Sequence, residues 1–396
     1  MGHARLDVTK DWETIRSFLP ANYRQLADDY KQVQTQFGNA KIRTADDLLR
    51  LALLHVGADL PLRQTVALMA EGGGPALSHV RLHKKMLRAT PYFRALVQSM
   101  VNTTPADPER WAGYEVVTVD ASSVCGPGAE TADARLHVQM RITDLDFLTV
   151  RVEGLEVGES FKRFHWQPGQ LAVGDRGYCH PPGIGWVVMH GADVLVRVSR
   201  NTLPLSDSDG ERIDLMGWLR SLPGHDAAER DVLIRDHEHR REIRGRLVAM
   251  RLPVAQAKKA EARLHRQRAK GAKVSDLDRE AASYVVLFTT VAKSRLDASR
   301  CLELYRLRWQ IELLFKRWKS LCGFDQLPNY LDETITAWLY AKVLLALLMQ
   351  RMGASALSPP EQAESRRRRH VEPAAVEAGF ASVANAHLGA PAARTA

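Results

Sequence analysis

The chain has 396 residues, long enough to bury a large core and to hold two or three domains. Its net charge of +9 and pI near 9.4 favour a polyanionic partner, although a generic basic protein has the same balance. The four cysteines show no C-x2-C spacing, so neither a zinc ribbon nor a disulfide framework is indicated. The longest apolar run, 343–349, is far short of the ~20 residues that cross a bilayer. We therefore expect a soluble protein from a reducing compartment.

The first 105 residues are predicted to be mostly helical, with Thr44 as the N-cap of the first clear helix. Apolar residues at helical spacing predict helices over 48–56, 62–71 and 76–89. A Gly-Gly-Gly-Pro break separates the last two, which resemble a helix-turn-helix. The second helix would offer polar and basic side chains to DNA: Ser78, His79, Arg81, His83, Lys84 and Lys85. An ordinary helical hairpin with a solvated basic face is the alternative.

Two strand-end acids follow. The β-branched run 115–120 predicts a buried strand that ends at Asp120, and the apolar run 171–174 predicts a strand that delivers Asp175 to a Gly-containing turn. Each acid alone is weak, because Asp at a strand end is more often a turn or cap residue. Between them, 134–142 and 147–152 predict a hairpin. Three meandering strands and a fourth beside the first match a ribonuclease-H-like sheet, in which the end acids of strands one and four face each other.

The stretch from Asp175 to Glu312 is longer than one strand and one helix require. Strands are predicted within it at 193–199, 231–235 and 240–252, and a return strand into the sheet at 284–290. Residues 256–273 hold seven Lys or Arg against one Glu at helical spacing. This segment either contacts DNA phosphates or is a solvated helix.

A pattern Y-x2-R-x3-E-x6-K comprises Tyr305, Arg308, Glu312 and Lys319. On one continuous helix these residues lie within an arc of roughly 60° along about 21 Å. An adjoining apolar stripe would pack against a core and direct the Glu312 carboxylate into a cleft. A solvated helix flank is the alternative interpretation.

Together these features resemble an insertion-sequence transposase of the DDE class, in the branch with a Tyr-Arg-Glu-Lys helix and a second acid in a D-R-G-Y-like turn. The matching residues are Asp120 in T-V-D-A-S, Asp175 in D-R-G-Y, and Tyr305, Arg308, Glu312 and Lys319 in Y-R-L-R-W-Q-I-E-L-L-F-K-R-W-K. The R-W-Q-I-E centre is specific, whereas the Asp120 motif is only permissive. The resemblance covers roughly residues 40–350.

The resemblance implies an α/β fold: a ribonuclease-H-like catalytic core with a mostly β insertion between the second Asp and the Glu, after a helical N-terminal domain. The expected divisions are a DNA-binding domain at 1–105, a core at 106–200 and 280–352, an insertion at 201–279, and a weakly ordered tail at 353–396.

The implied function is that of a transposase that binds terminal inverted repeats and performs metal-dependent strand cleavage and strand transfer in cut-and-paste transposition. Asp120, Asp175 and Glu312 would hold two Mg²⁺ ions, for which Mn²⁺ substitutes. Tyr305, Arg308 and Lys319 would hold DNA near the cleaved end, and Arg81, Lys84 and Lys85 the terminal repeats. The implied partners are transposon-end and target double-stranded DNA and a second subunit in a homodimeric synaptic complex.

The protein would be cytoplasmic and nucleoid-associated, with no membrane partner. The alternatives are a structure-specific nuclease on the same fold and a catalytically inactive DNA-binding derivative. The presence of all three acids argues against the inactive form.

Overall fold

A computed structural model describes residues 11–32, 42–101, 111–125, 134–143, 145–267, 274–324 and 332–356. The helices among them are α1 Trp12–Ser17, α2 Tyr23–Asp29, α3 Ala45–Gly57, α4 Leu62–Glu71, α5 His79–Met100, α6 Pro181–Met189, α7 Leu215–Arg220, α8 Val254–Gln267, α9 Asp276–Ala282, α10 Ala298–Leu307, α11 Trp309–Cys322 and α12 Asp332–Ala356. The strands are β1 Glu115–Val124, β2 Ala134–Arg141, β3 Phe147–Glu153, β4 Gln170–Gly174, β5 Asp193–Arg197, β6 Leu205–Ser206, β7 Ala228–Asp236, β8 Arg241–Arg251 and β9 Tyr284–Thr289.

The N-terminal helices largely agree with the sequence patterns. The Thr44 side chain accepts a hydrogen bond from Asp47 N at 3.0 Å, which confirms it as the N-cap of α3. The third predicted helix was wrong at both ends. α5 starts later because the Ser78 side chain caps it by accepting from Arg81 N at 3.3 Å. It continues past Pro91 to Met100, because burial of the apolar residues after the proline offsets the missing backbone donor.

The described strands form one sheet in the order β3-β2-β1-β4-β5-β9-β8-β7-β6. β1, β4 and β5 run parallel to one another, and the other neighbouring pairs are antiparallel. The predicted meander and the adjacency of its first strand to the fourth are thus confirmed. The strands predicted between 193 and 290 are also present, and they extend this same sheet beyond β5.

One strand boundary was predicted wrongly. β1 does not end at Asp120 but continues to Val124. Beyond Thr118 its recorded partner is β2 alone, in a register that runs to Val124 opposite Ala134. The additional residues remain extended because the β2 ladder satisfies their backbone groups.

Alternate residues of the central strands enter two different apolar cores. Val117 and Val119 belong to one core with Phe161 and Tyr178, and Val116 belongs to the other. Because side chains alternate across a strand, these cores lie on opposite faces of the sheet. The second core also contains Leu304 and Tyr305, so α10 packs on the face toward which Asp120 is directed.

The last helix, α12, is apolar over most of its surface. Its segment Glu333–Gly353 has the length and composition that could cross a membrane, but 72% of the 18-residue apolar window within it is buried inside the protein. This burial is what a core helix of a globular protein shows. α12 extends to Ala356, so residues 353–356, where the tail was expected to begin, are helical. The remainder of that tail, like residues 268–273 of the basic segment, lies outside the described residues.

Candidate active site

Asp120 and Asp175 are at the same level of two neighbouring parallel strands. β1 pairs with β4 so that Thr118 is opposite Val173. Asp120 lies two residues after Thr118, and Asp175 lies two residues after Val173. The same register therefore brings the two acids side by side, because neighbouring strands are about 4.8 Å apart. β4 ends one residue earlier, at Gly174. The acids therefore lie at the carboxyl end of β4, next to β1. The order of the strands along the chain reverses at β1, because β2 lies on one side of it and β4 on the other. Open α/β sheets bind ligands at such a position.

The turn after β4 is held in place from two sides. The Asp175 carboxylate accepts a hydrogen bond from Gly177 N at 2.8 Å and caps a single 3₁₀ turn over Arg176–Tyr178. A β-carbon at Gly174 would lie 2.7 Å from Phe161 Cζ and 2.9 Å from Tyr178 Cβ. Glycine at this position therefore lets both rings pack against the strand end.

The helix that carries the Y-x2-R-x3-E-x6-K pattern is divided into two helices that meet at Arg308. α10 ends at Leu307 and α11 begins at Trp309. At the junction, Arg308 N donates to Tyr305 O at 3.1 Å and Ile311 N donates to Arg308 O at 3.2 Å. These i to i+3 bonds form a tighter turn than the predicted continuous helix.

Arg308 links two of the three predicted catalytic acids. Its Nη1 lies 3.5 Å from Asp120 Oδ2, and its Nη2 donates to Glu312 Oε1. The Arg308 and Asp120 side chains are 13% and 14% exposed, whereas that of Glu312 is 47% exposed. The junction thus brings a cation to the acid on β1 and leaves the acid on α11 open to solvent.

Burial raises the pKa of Asp120 to about 7. The positive charge of Arg308 opposes this shift, while the negative charges of Asp175 and Glu312 add to it. All three acids therefore share one electrostatic environment. Burial lowers the pKa of Arg308, but neighbours that include Tyr305, Glu312 and Asp120 raise it overall, so the guanidinium remains charged.

Tyr305 lies among arginines, two of which, Arg176 and Arg197, were not assigned to the site from the sequence. Arg308 lies over its ring at 5.8 Å, and the charge of Arg197 also acts on it. Burial and the neighbouring Arg197 lower the pKa of Arg176, the arginine of the D-R-G-Y turn. The Nε atoms of Arg176, Arg197 and Arg308 are buried without a hydrogen-bond partner in the structure. Arg197 could have been suspected from its position at the end of β5, the parallel neighbour of β4.

Lys319 lies two turns beyond Glu312 on α11. Its ammonium donates to Ser123 O at 3.2 Å. Ser123 belongs to the part of β1 that continues past Asp120, which the sequence did not predict. The lysine therefore joins α11 to the strand that carries the first acid.

The donor set fits a divalent cation. Carboxylates are the hard oxygen ligands that Mg²⁺ and Mn²⁺ prefer, and the crowded negative charge around Asp120 is balanced by Arg308. Among the described residues, no three His, Cys, Asp or Glu side chains form a ready-made metal cluster. Asp120 and Glu312 are instead bridged by Arg308.

The predicted DNA-binding residues of α5 differ in their surroundings. Arg81 and Lys84 are exposed near its first turns. Lys85 is half-buried, and its ammonium donates to Gln32 O and lies 3.2 Å from Gln32 Oε1. It therefore joins α5 to the residues after α2.

A Transposase DDE domain family matches residues 144–349, more than half of the chain. The InsL protein for insertion sequence element IS186A of Escherichia coli (strain K12) is 31% identical over 334 residues, which are 83% of this chain and 90% of the relative. The transposase for element IS421 of Escherichia coli is 31% identical over 335 residues, with the same shares. The chain belongs to the DDE transposase family. It is therefore a member of a family of enzymes that act on DNA and that generally use divalent metal ions.

A more distant relative, the transposase for element IS231F of Bacillus thuringiensis subsp. israelensis, is 27% identical over 199 residues, 46% of this chain and 41% of that protein. The matched family region contains Asp175 and all four residues of the Y-x2-R-x3-E-x6-K pattern, and it begins after Asp120. The place of Asp120 in this transposase therefore depends on the β1 and β4 register and on its contact with Arg308.

Proposed function

We propose that the protein binds the terminal inverted repeats of an insertion sequence and cleaves and transfers their strands in cut-and-paste transposition, with Asp120, Asp175 and Glu312 as the catalytic acids. The contact that carries this proposal is the bridge from Arg308 to Asp120 and Glu312. Through it, an acid on α11 shares a site with two acids brought together by parallel strands. A solvated helix flank would not make this bridge.

The strand arrangement supports a ribonuclease-H-like core. The order β3-β2-β1-β4-β5, with β1, β4 and β5 parallel and β2 antiparallel, places the acids of the first and fourth strands together. Within this proposal, residues 106–200 and 280–352 are the core, 201–279 an insertion that lengthens the sheet, and 1–105 the DNA-binding domain. The Y-x2-R-x3-E-x6-K pattern supports membership of the Tyr-Arg-Glu-Lys branch.

The three acids would hold two Mg²⁺ ions, with Mn²⁺ as a substitute. When bound, such ions activate the attacking hydroxyl and stabilise the leaving oxygen of a phosphodiester. Asp120 and Asp175 are held by the sheet and the turn after it, whereas Glu312 is exposed and can change its partner. Deprotonated carboxylates would be the ligands, so binding would release any proton on Asp120 near neutral pH.

The cationic side chains next to the acids suit the DNA backbone. Arg308, Arg176 and Arg197 each have a buried guanidinium nitrogen without a partner in the structure, and a phosphate oxygen would satisfy such donors. Tyr305 positions Arg308 by lying under it. Lys319 adds a point charge further along α11.

Two exposed residues near the start of α5, Arg81 and Lys84, are proposed to contact the terminal repeats. Lys85 is left out of this set because its ammonium already bonds to Gln32. The remaining partners would be target DNA and a second subunit, and the protein would act in the cytoplasm at the nucleoid.

The test uses purified protein and linear DNA that carries the inverted repeats flanking its gene. We expect nicking at the repeat ends with Mg²⁺ or Mn²⁺, binding without nicking with Ca²⁺, and neither nicking nor strand transfer by Asp175→Asn. Nicking that survives chelation would contradict the metal assignment. Nicking that does not depend on the repeat sequence would favour a structure-specific nuclease. Binding of the repeats without nicking in the presence of any metal would favour an inactive derivative.

A further inference from the structure

A fourth carboxylate, that of Glu159, lies against the turn that carries Asp175. A β-carbon at Gly177 would overlap Glu159 Oε2 and would lie 3.2 Å from Asp175 Oδ1. The two carboxylates therefore approach the same glycine. Only a residue without a β-carbon allows both to approach.

The residues around Glu159 keep its side chain beside Gly177 but do not neutralise its charge. The next residue, Ser160, caps a buried 3₁₀ turn over Phe161–Arg163 by accepting from Lys162 N at 3.2 Å. No hydrogen bond or ion pair to the Glu159 carboxylate exists in the described part of the chain. Arg135 is the cation whose charge acts on it, and Arg135 Nη1 donates instead to Val157 O at 3.1 Å.

An independent observation comes from the other side of the turn. Tyr178 is fully buried, and its hydroxyl has no hydrogen-bond partner in the structure. The charges of Asp120, Glu159 and Asp175 all act on this hydroxyl. Its ring packs against that of Phe161, with 5.2 Å between the centroids. A buried polar group without a partner calls for an explanation, and an ion or water bound beside it is one.

We propose that Glu159 is a fourth acid of the active site, which together with Asp175 binds a divalent cation next to the Tyr178 hydroxyl. Mg²⁺ is commonly held by one or two carboxylates and several waters, so the pair does not need a third protein ligand. This inference rests on the proposed function, because it adds a residue to the same metal site.

The proposal predicts opposite effects of one variant with and without metal. Glu159→Gln keeps the size of the side chain, removes the repulsion from Asp175, and removes a ligand charge. The metal-free variant should unfold at the parental temperature or above it, whereas a residue with only a structural role would lose stability. The variant should bind Mn²⁺ about 10- to 100-fold more weakly, the range typical when groups that support a metal site are changed.

The experiment measures Mn²⁺ affinity by electron paramagnetic resonance and isothermal titration without DNA, and thermal unfolding with and without Mn²⁺. The variants are Glu159→Gln, Asp175→Asn and, as a matched control, Glu156→Gln. Glu156 is exposed on the same connection, so its change removes the same charge away from the turn. Repeat binding in Ca²⁺-free buffer, measured by gel shift, checks that each variant keeps its fold.

Weak Mn²⁺ binding by Glu159→Gln and Asp175→Asn, with parental binding by Glu156→Gln, supports the proposal. If Asp175→Asn loses Mn²⁺ and Glu159→Gln behaves like Glu156→Gln, the role of Glu159 is refuted while the three-acid site stands. Parental protein that binds no Mn²⁺ under any condition overturns both.

Discussion

Asp120→Asn isolates the effect of burying a negative charge in the candidate site. The Asp120 side chain is 14% exposed, and burial is the main reason that its pKa rises from 3.8 to about 7. A raised carboxyl pKa means that the folded protein keeps a proton that the unfolded chain has lost, over the window from about pH 4 to about pH 7. Asp120 therefore makes the protein less stable as the pH rises through that window.

The size of this effect follows from the two pKa values. Compared with low pH, where the Asp120 carboxyl is protonated in both the folded and the unfolded state, the shift lowers the free energy of unfolding by about 4 kcal/mol at pH 8 and by about 2 kcal/mol at pH 5. Asparagine has nearly the same shape and no charge. We therefore expect Asp120→Asn to stabilise the metal-free protein by up to about 4 kcal/mol at pH 8 and by up to about 2 kcal/mol at pH 5.

The assay is urea unfolding in EDTA at pH 5 and pH 8, followed by tryptophan fluorescence. Asp231→Asn, which removes an exposed carboxylate from β7, is the control and should change stability by less than about 0.5 kcal/mol. Equal destabilisation by Asp120→Asn at both pH values would refute the reasoning. Asp120 would then act through the hydrogen bond that it accepts from Ala121 N at 2.8 Å.

Three further outcomes are expected. Arg81→Ala and Lys84→Ala should each weaken repeat binding and lower the slope of log affinity against log salt by about 0.9, and an unchanged slope in gel shifts would exclude the phosphate contact. Arg308→Ala should slow single-turnover cleavage and weaken the DNA complex, with partial recovery at low salt; a parental rate and affinity would contradict its role. Asp59→Ala should destabilise the protein, because it removes the carboxylate that lies 2.6 Å from the buried Lys342 ammonium. Lys342→Met should cost less, because Asp59 is 41% exposed to water; denaturant titrations that give the reverse order would refute this.

The sheet was predictable because its strands carry strong local patterns. A β-branched run marked β1 and an apolar run marked β4, and the order of the elements placed these strands side by side, as observed. The end of β1 was not predictable from its own residues. The strand continues past Asp120 because β2 pairs with it, and that partner comes from further along the chain.

The Y-x2-R-x3-E-x6-K pattern predicted that Arg308 and Glu312 lie close together but not that Arg308 contacts Asp120. The spacing of Arg308 and Glu312 is a local property, and their predicted proximity agrees with the ion pair. The contact of Arg308 with Asp120 joins residues 188 positions apart. No local rule predicts such a contact, and sequence analysis therefore assigned Arg308 to DNA alone.

Other residues of the site have no sequence signal of their own. Glu159 follows a glycine in a connection between strands, and only the fold brings it to Gly177. Lys84 and Lys85 are equally basic, so the sequence assigned both to DNA. Only the structure distinguishes them, because the Lys85 ammonium bonds to Gln32. Tertiary contacts decided these roles.

The central claim is that Glu312 acts in the chemistry with the two strand acids, and Glu312→Gln tests it most directly. Glutamine keeps the size and helix propensity of the side chain but removes the metal-binding charge. The measurement is single-turnover cleavage of repeat DNA in Mg²⁺, with gel-shift affinity in Ca²⁺ determined on the same preparation. We expect cleavage to be lost and affinity to stay within about twofold of the parent, since less than about 0.5 kcal/mol of binding should change. Cleavage at the parental rate would show that α11 lies outside the catalytic site and would contradict the account.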